Sequence, residues 1–149
     1  GINNPSARRL NLVFTGINYD VDTIRAIAES FIDWNQEEEG LFTIEPFKSN
    51  KGKFNIWYIN KTLTLESDIT EWGDESGDWG YTDMIKNCSL PNWYGYVFVN
   101  KPGRSSSGFG PNSATVILSE GDSGPAAPIH ETGHLIGNLA DEYPGGRQE

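Results

Sequence analysis

The apolar positions of the chain form several short runs and one helical repeat, which together predict strands alternating with helices. Runs rich in β-branched and aromatic residues predict four strands, at residues 9–15, 54–60, 94–100 and 114–119. The first strand is expected to end at Gly16, and Asp20 or Asp22 can cap the helix that follows. One face of that helix is marked by apolar residues at helical spacing: Val21, Ile24, Ile27, Ala28, Phe31 and Trp34.

The remaining segments complete a mixed fold. Gly40 suits the end of the first helix, directly after three glutamates at 37–39. Residues 81–88 predict a short helix, residues 101–113 a flexible loop dense in glycine and serine, and Pro128 the first turn of a last helix. This order predicts an α/β fold, with a mixed twisted sheet and packed helices, in a single domain over residues 1–149.

Charge narrows the classes of partner. The chain has 21 acidic and 11 basic residues, which gives a formal net charge of −10. A surface with this negative charge repels the phosphates of nucleic acids and anionic lipid headgroups, which argues against both as partners. The chain has no apolar run long enough for a membrane span. Cys88 is the single cysteine, so no internal disulfide can form, and it is expected to be a buried apolar residue.

An acidic stretch at residues 61–80 is open to three interpretations. Its carboxylates are Glu66, Asp68, Glu71, Asp74, Glu75 and Asp78. A solvated loop is the simplest interpretation. A structural Ca²⁺ site is the second, although the spacing does not match an EF-hand loop. A propeptide-like or substrate-contacting loop is the third.

The motif that carries chemistry is His130-Glu131-Thr132-Gly133-His134, an H-E-x-x-H pattern. Residues four apart lie on one face of a helix, so both imidazoles can bind one Zn²⁺ ion. Glu131 would then lie beside the ion, where it can take a proton from metal-activated water and pass it to the leaving amine. The chain has only two histidines, and chance would produce this pattern roughly once in a thousand trials. The alternative is two ordinary histidines on a helix surface.

A catalytic zinc site needs a third protein ligand, and Asp141 and Glu142 are the carboxylates downstream. A straight helix would carry Asp141 about 10 Å beyond His134 along its axis. Gly137 can take the left-handed conformation that ends a helix, which would let the chain turn back. We therefore expect Asp141 as the third ligand. Glu142 or a residue outside this segment is the alternative, with Asp141 then orienting a ligand histidine.

The surroundings of the motif resemble known peptidases. H-E-x-x-H-x-x-G resembles the start of the metzincin signature, but that signature has its third ligand where Ala140 stands, and its methionine downstream, whereas the only methionine here is Met84. The run HETGHLIGNLADEY is more similar to the M64 peptidases, the family of bacterial IgA endopeptidases. The segments RRLNLVFTGINYD, IEPF and KFNIWYIN are similar to that family in the same order, over roughly residues 8–143.

The M64 resemblance implies a zincin- or metzincin-like N-terminal subdomain with an H-E-x-x-H active-site helix. It implies a secreted or cell-surface zinc endopeptidase that acts on a protein or peptide. In that family's scheme His130, His134 and Asp141 hold one catalytic Zn²⁺, and Glu131 is the base. Members of the family continue past the position of Tyr143, so residues 1–149 are expected to lack a C-terminal portion, which a remainder of the chain or other subunits would supply.

Two other functions stay open at this point. One is a non-catalytic surface or assembly module that retains the peptidase fold and the metal site. The other is a metal-dependent amidase acting on cell-wall or small amides. For a peptidase, the substrate is expected to pair with an edge strand at residues 114–119, beside the glycine- and serine-rich loop.

Overall fold

The computed structural model describes residues 9–33, 40–61, 64, 87–102, 106–107, 110–120 and 127–139. These residues form one five-stranded sheet with helices packed against it, which confirms the predicted mixed α/β class. The strands are β1 (Leu10–Ile17), β2 (Phe54–Tyr58), β3 (Trp93–Pro102), β4 (Ser106–Ser107) and β5 (Ser113–Glu120). The helices are α1 (Val21–Ile32), α2 (Phe47–Asn50) and α3 (Ala127–Leu135), and 3₁₀ turns lie at Leu41–Thr43 and Lys51–Lys53.

The strand order is β2-β1-β3-β5-β4. The first four strands are parallel, and β4 pairs antiparallel with β5. Two expectations are therefore wrong. The glycine- and serine-rich segment contains a strand, because the backbone of Ser106 and Ser107 pairs with β5, a contact between strands that local composition does not reveal. For the same reason β5 is not the edge of the sheet, since β4 covers Thr115 and Val116.

Both faces of the sheet are buried. Alternate residues of β1 and β3 point to opposite sides, as the twofold repeat of a strand requires. The face that packs on α1 and α3 is built from Leu12, Phe14, Tyr94, Tyr96, Phe98 and Ile117. The other face is built from Val13, Ile17, Trp93, Val97, Val99 and Val116. Burial on two sides explains why these strands are continuous apolar runs in the sequence.

The first strand is longer than predicted. It continues through Gly16, which pairs with Phe98, and ends at Ile17. A Cβ atom on Gly16 would lie 2.2 Å from Cδ1 of Ile24 in α1. The close packing of α1 on β1, and not a turn, is therefore the reason for glycine at this position.

Helix α1 begins as predicted and ends early. The backbone N–H of Thr23 donates to Oδ1 of Asp20 at 2.8 Å, so Asp20 is the N-cap. This bond lowers the pKa of Asp20 below its ordinary value. The helix ends at Ile32, because Asp33 takes a left-handed conformation with φ 36°. The predicted end at Gly40 is wrong.

Several predictions fall partly or wholly outside the described residues. Among these are Trp34, the glutamates at 37–39 and the predicted calcium site, since only Lys61 and Thr64 of residues 61–80 are described. The predicted helix at 81–88 is described only at its last two residues. Cys88 is exposed, so the prediction of a buried cysteine is wrong. Within the described ranges, no helix is long and apolar enough to cross a membrane.

Candidate metal centre

The H-E-x-x-H motif lies on α3, which follows β5 and packs against β5 and β4. The predicted last helix is confirmed, with Pro128 as its second residue, where the missing N–H leaves no helical hydrogen bond unmade. Leu135 is fully buried and joins the core between the helices and the sheet. The carbonyl of Leu135 accepts a hydrogen bond from the N–H of Gly110 at 3.0 Å, which fastens the end of α3 to the segment before β5.

A buried hydrogen bond between Tyr96 of β3 and Thr132 sets the rotation of α3 about its axis. Thr132 Oγ1 donates to the carbonyl of Pro128 at 2.7 Å, and its separation from Tyr96 Oη is 2.9 Å. Since the Thr132 proton is already used, Tyr96 is the donor. Burial raises the pKa of Tyr96 above its ordinary value, so the phenol keeps its proton. At about 100° per residue, Thr132 lies opposite His130 and His134, which are therefore turned away from the sheet.

The two imidazoles converge on one point. Their Nε2 atoms are 3.1 Å apart, with ring centroids separated by 4.7 Å and ring planes at 87° to each other. Two nitrogens that each lie 2.0–2.1 Å from a tetrahedral zinc ion would be about 3.3 Å apart. His134 is 9% exposed, and His130 belongs to the exposed residues. The pair therefore fits a shared ion that is open to solvent on the His130 side.

The other nitrogen of His134 is held by the backbone. Nδ1 of His134 lies 2.5 Å from the carbonyl oxygen of Leu139. A carbonyl oxygen only accepts, so Nδ1 must carry a proton, and in this tautomer Nε2 of His134 is the acceptor in its 3.1 Å contact with Nε2 of His130. This is the arrangement that metal-binding histidines ordinarily have, with one nitrogen on the metal and the other donating to a carbonyl or carboxylate.

A left-handed turn ends the helical segment after α3, but not at the residue expected. The left-handed residue is Asn138, with φ 54°, whereas Gly137 was predicted to make the turn. The N–H of Asn138 donates to the carbonyl of His134, and that of Leu139 to the carbonyl of Gly133, both at 3.1 Å. Gly137 is needed for close approach instead, since a Cβ there would lie 2.6 Å from the Gly133 oxygen. Asparagine tolerates the left-handed region, which is why it can take this position.

The rest of the predicted site is only partly described. Glu131 is on α3 and is 6% exposed. Asp141 and Glu142, the two carboxylates predicted as a third ligand, lie outside the described residues. Within the part of the chain that the structure describes, no three His, Cys, Asp or Glu side chains form a metal-binding group. The described centre is therefore a pair of imidazoles with a buried carboxylate between them in sequence.

Two supports of the centre were not predicted from the sequence. The carbonyl of Leu139 is a backbone group, which any residue would supply, so no sequence pattern marks it. The bond between Tyr96 and Thr132 joins positions 36 residues apart, and only the packing of α3 on the sheet reveals it. Asn138 did carry a signal, because asparagine is the residue next to glycine in preference after a helix end.

Comparison with known proteins adds no relative. No protein-family model matches the chain, and a search of curated proteins finds no similar sequence. The similarity to M64 peptidases therefore rests on the motifs alone and stays a prediction.

Proposed function

We propose that this protein is a zinc-dependent endopeptidase, with His130 and His134 as ligands of one catalytic ion and Glu131 as general base. The observation that carries the proposal is the 3.1 Å separation of the two Nε2 atoms, together with the Leu139 carbonyl at Nδ1 of His134. A hydrogen bond between the two rings has the same separation, so the proposal also uses the H-E-x-x-H motif, which places Glu131 beside them on the helix. Imidazole pairs of this geometry suit Zn²⁺.

Asp141 is proposed as the third ligand because the turn at Asn138 holds the chain beside His134 two residues before it. Leu139 is held at His134 by its own carbonyl and by the bond from its N–H to Gly133. Asp141 is two residues further on, and two residues of chain span at most about 7 Å. A carboxylate on that length of chain can reach the ion that His134 binds. Glu142 is the alternative, one residue further.

The residues of this chain would divide the reaction between them. Zinc, when bound, supplies a Lewis acid that polarises the scissile carbonyl and lowers the pKa of water to about 7. The two imidazoles hold the ion through Nε2, and the buried carboxylate of Glu131 accepts the proton of the attacking water. Glu131 then gives that proton to the nitrogen of the leaving amine, which prevents the peptide bond from re-forming.

The proposal extends to the family and the substrate. The motif HETGHLIGNLADEY supports a zincin- or metzincin-like protein of the M64 type, acting outside the cell or at its surface. The substrate is proposed to be an extended protein or peptide segment. It would pair with β4, which follows β5 at the end of the strand order and also contacts α3.

The test compares zinc content and hydrolysis in one set of proteins. Wild type is expected to bind one equivalent of zinc and to cleave casein. Glu131→Gln should keep the zinc and lose about 10²- to 10⁴-fold in rate, the usual contribution of a general base. Glu29→Gln is the matched control, because it makes the same change on an exposed face of α1. Full activity in Glu131→Gln would refute the role of that residue, and a wild type without zinc would refute the metal site.

One outcome of the same test favours a different function. Wild-type protein that holds zinc but hydrolyses no protein or peptide would indicate a non-catalytic module that retains the site. Hydrolysis of small amides without cleavage of proteins would indicate an amidase.

A further inference from the structure

We propose that Asn138 is a positioning residue, which makes the left-handed turn that presents the Leu139 carbonyl to His134 and so keeps the ring proton on Nδ1 and off Nε2, the nitrogen that would bind the ion. This inference rests on the proposed function, because it assigns a purpose to the turn only if His134 binds a metal. The side chain of Asn138 is exposed. Its role is therefore argued from its backbone conformation.

The turn is built from consecutive backbone contacts. The N–H of Ile136 donates to Thr132 O at 2.9 Å, which continues the helical bonding beyond Leu135. Asn138, at φ 54°, then donates its N–H to His134 O at 3.1 Å. The left-handed conformation redirects the chain, so that Leu139 folds back over α3 and its N–H reaches Gly133 O. A helical residue at 138 would carry Leu139 onward along the axis instead.

The two glycines of the segment leave room for this fold. Gly133 and Gly137 lie on the same side of the helix as the histidines, at about 100° per residue. A Cβ on Gly137 would lie 3.2 Å from Cγ of Leu139, and a Cβ on Gly133 would lie 3.5 Å from its Cδ1. The Leu139 side chain therefore rests on a surface without side chains, which lets its carbonyl come as close as 2.5 Å to Nδ1 of His134.

The consequence for the metal follows from the two tautomers of neutral imidazole. With the Leu139 carbonyl in place, the proton stays on Nδ1 and Nε2 is a ligand. Without that carbonyl, the proton can move to Nε2, the atom that faces His130 at 3.1 Å. Zinc must then displace the proton before it can bind. A residue that resists the left-handed conformation at 138 should therefore weaken zinc binding without touching a ligand.

The experiment measures the tautomer of His134 and the zinc affinity in three variants. Asn138→Val introduces a β-branched residue that strongly disfavours positive φ, whereas Asn138→Gly accepts it freely. Asn18→Val is the matched control, since Asn18 is also exposed and left-handed, with φ 58°, but follows β1. Long-range ¹H–¹⁵N correlation spectra of the metal-free proteins report which ring nitrogen carries the proton. Competition with a chromophoric chelator reports the affinity for zinc.

We expect Asn138→Val to lose the Nδ1–H tautomer and to bind zinc about 10- to 100-fold more weakly, the usual effect of removing a partner of a ligand histidine. Asn138→Gly and Asn18→Val should keep both properties of the wild type. Unchanged zinc affinity and tautomer in Asn138→Val would overturn the proposal, and so would an Nε2–H tautomer of His134 in metal-free wild type. The tautomer is read without zinc, so a wild type that shows the Nδ1–H form but binds no zinc contradicts the proposed function and not the geometry of the turn.

Discussion

Removing the hydroxyl groups of Tyr96 and Thr132, singly and together, is expected to change the free energy of unfolding in a non-additive way, because the two groups form one buried hydrogen bond. Tyr96→Phe deletes the donor, while the ring can still stack on Phe14, whose centroid is 4.9 Å away. Thr132→Val deletes the acceptor and leaves the phenol of Tyr96 in place. Tyr96 is 0% exposed, so in that variant its hydroxyl would be buried without an acceptor.

The magnitudes differ between the two variants for that reason. Loss of the bond in Tyr96→Phe is expected to lower the free energy of unfolding by about 0.5–1.5 kcal/mol. Thr132→Val should cost about 1–3 kcal/mol, because a buried donor is left unsatisfied. The double variant replaces both groups by apolar ones of similar shape, so its remaining cost is mainly the lost bond from Thr132 to the Pro128 carbonyl. The two single effects should therefore exceed the double effect by about 1 kcal/mol or more.

Urea unfolding followed by tryptophan fluorescence gives the three free energies, since the chain has five tryptophans. Tyr58→Phe is the control, because it removes a phenol hydroxyl from another ring beside Phe14. Single effects that add to the double effect within about 0.3–0.5 kcal/mol would show that the two hydroxyls are not coupled. The description of α3 as tethered to β3 through Thr132 would then be refuted.

Three further predictions concern the turn, the first helix and the metal. Gly137→Ala places a Cβ 2.6 Å from Gly133 O and should lower the free energy of unfolding in urea by about 1–3 kcal/mol. The control Gly52→Ala, whose Cβ would meet no heavy atom within 4 Å, should show no such loss. Equal effects in the two variants would refute the tight contact at Gly137. Asp20→Ala should lower Tm at pH 6 by removing the N-cap. The Thr23 N–H lowers the pKa of Asp20 in the folded protein below its ordinary value of 3.8. The carboxylate therefore contributes fully to stability above pH 3.8, and this contribution is lost as the pH falls through the lower pKa of the folded state. The Tm difference should therefore shrink in acid, and a constant difference from pH 6 to 2 would contradict the assignment. Zinc at 100 times its Kd should add about 2.7 kcal/mol of stability, so a chelator should lower the Tm of wild type but not that of His134→Ala, and equal shifts would exclude this site as their cause.

The four parallel strands could be predicted because buried parallel strands are largely apolar runs, as in residues 94–100 of β3, whereas the two serines of β4 carry no such signal. The exact ends of the strands could not. Gly16 looks like a turn in sequence, yet the side chain of Ile24, eight positions away, is what requires it. Asp33 ends α1 through a left-handed conformation that an apolar repeat continuing to Trp34 does not reveal. In both places contacts or backbone conformation, and not local composition, decide the boundary.

The candidate site divides in a similar way. The spacing of His130 and His134 on a helix is a local property, so convergence of the two rings could be predicted from five residues of sequence. The parts that fix them are not local. Tyr96 comes from a different strand, and the Leu139 carbonyl belongs to the backbone. The position of the turn was missed by one residue, because glycine was preferred over the asparagine beside it.

The binding of one ion by His130 and His134 is tested most directly by X-ray absorption at the zinc edge of the purified, zinc-loaded protein, with His130→Ala measured beside it. Wild type should hold one zinc per chain, with nitrogen or oxygen neighbours at about 2.0–2.1 Å and the outer-shell scattering of two imidazoles. His130→Ala should lose one of the two imidazole contributions and bind zinc more weakly. A wild-type spectrum without imidazole scattering, or an identical spectrum and affinity in His130→Ala, would contradict the account.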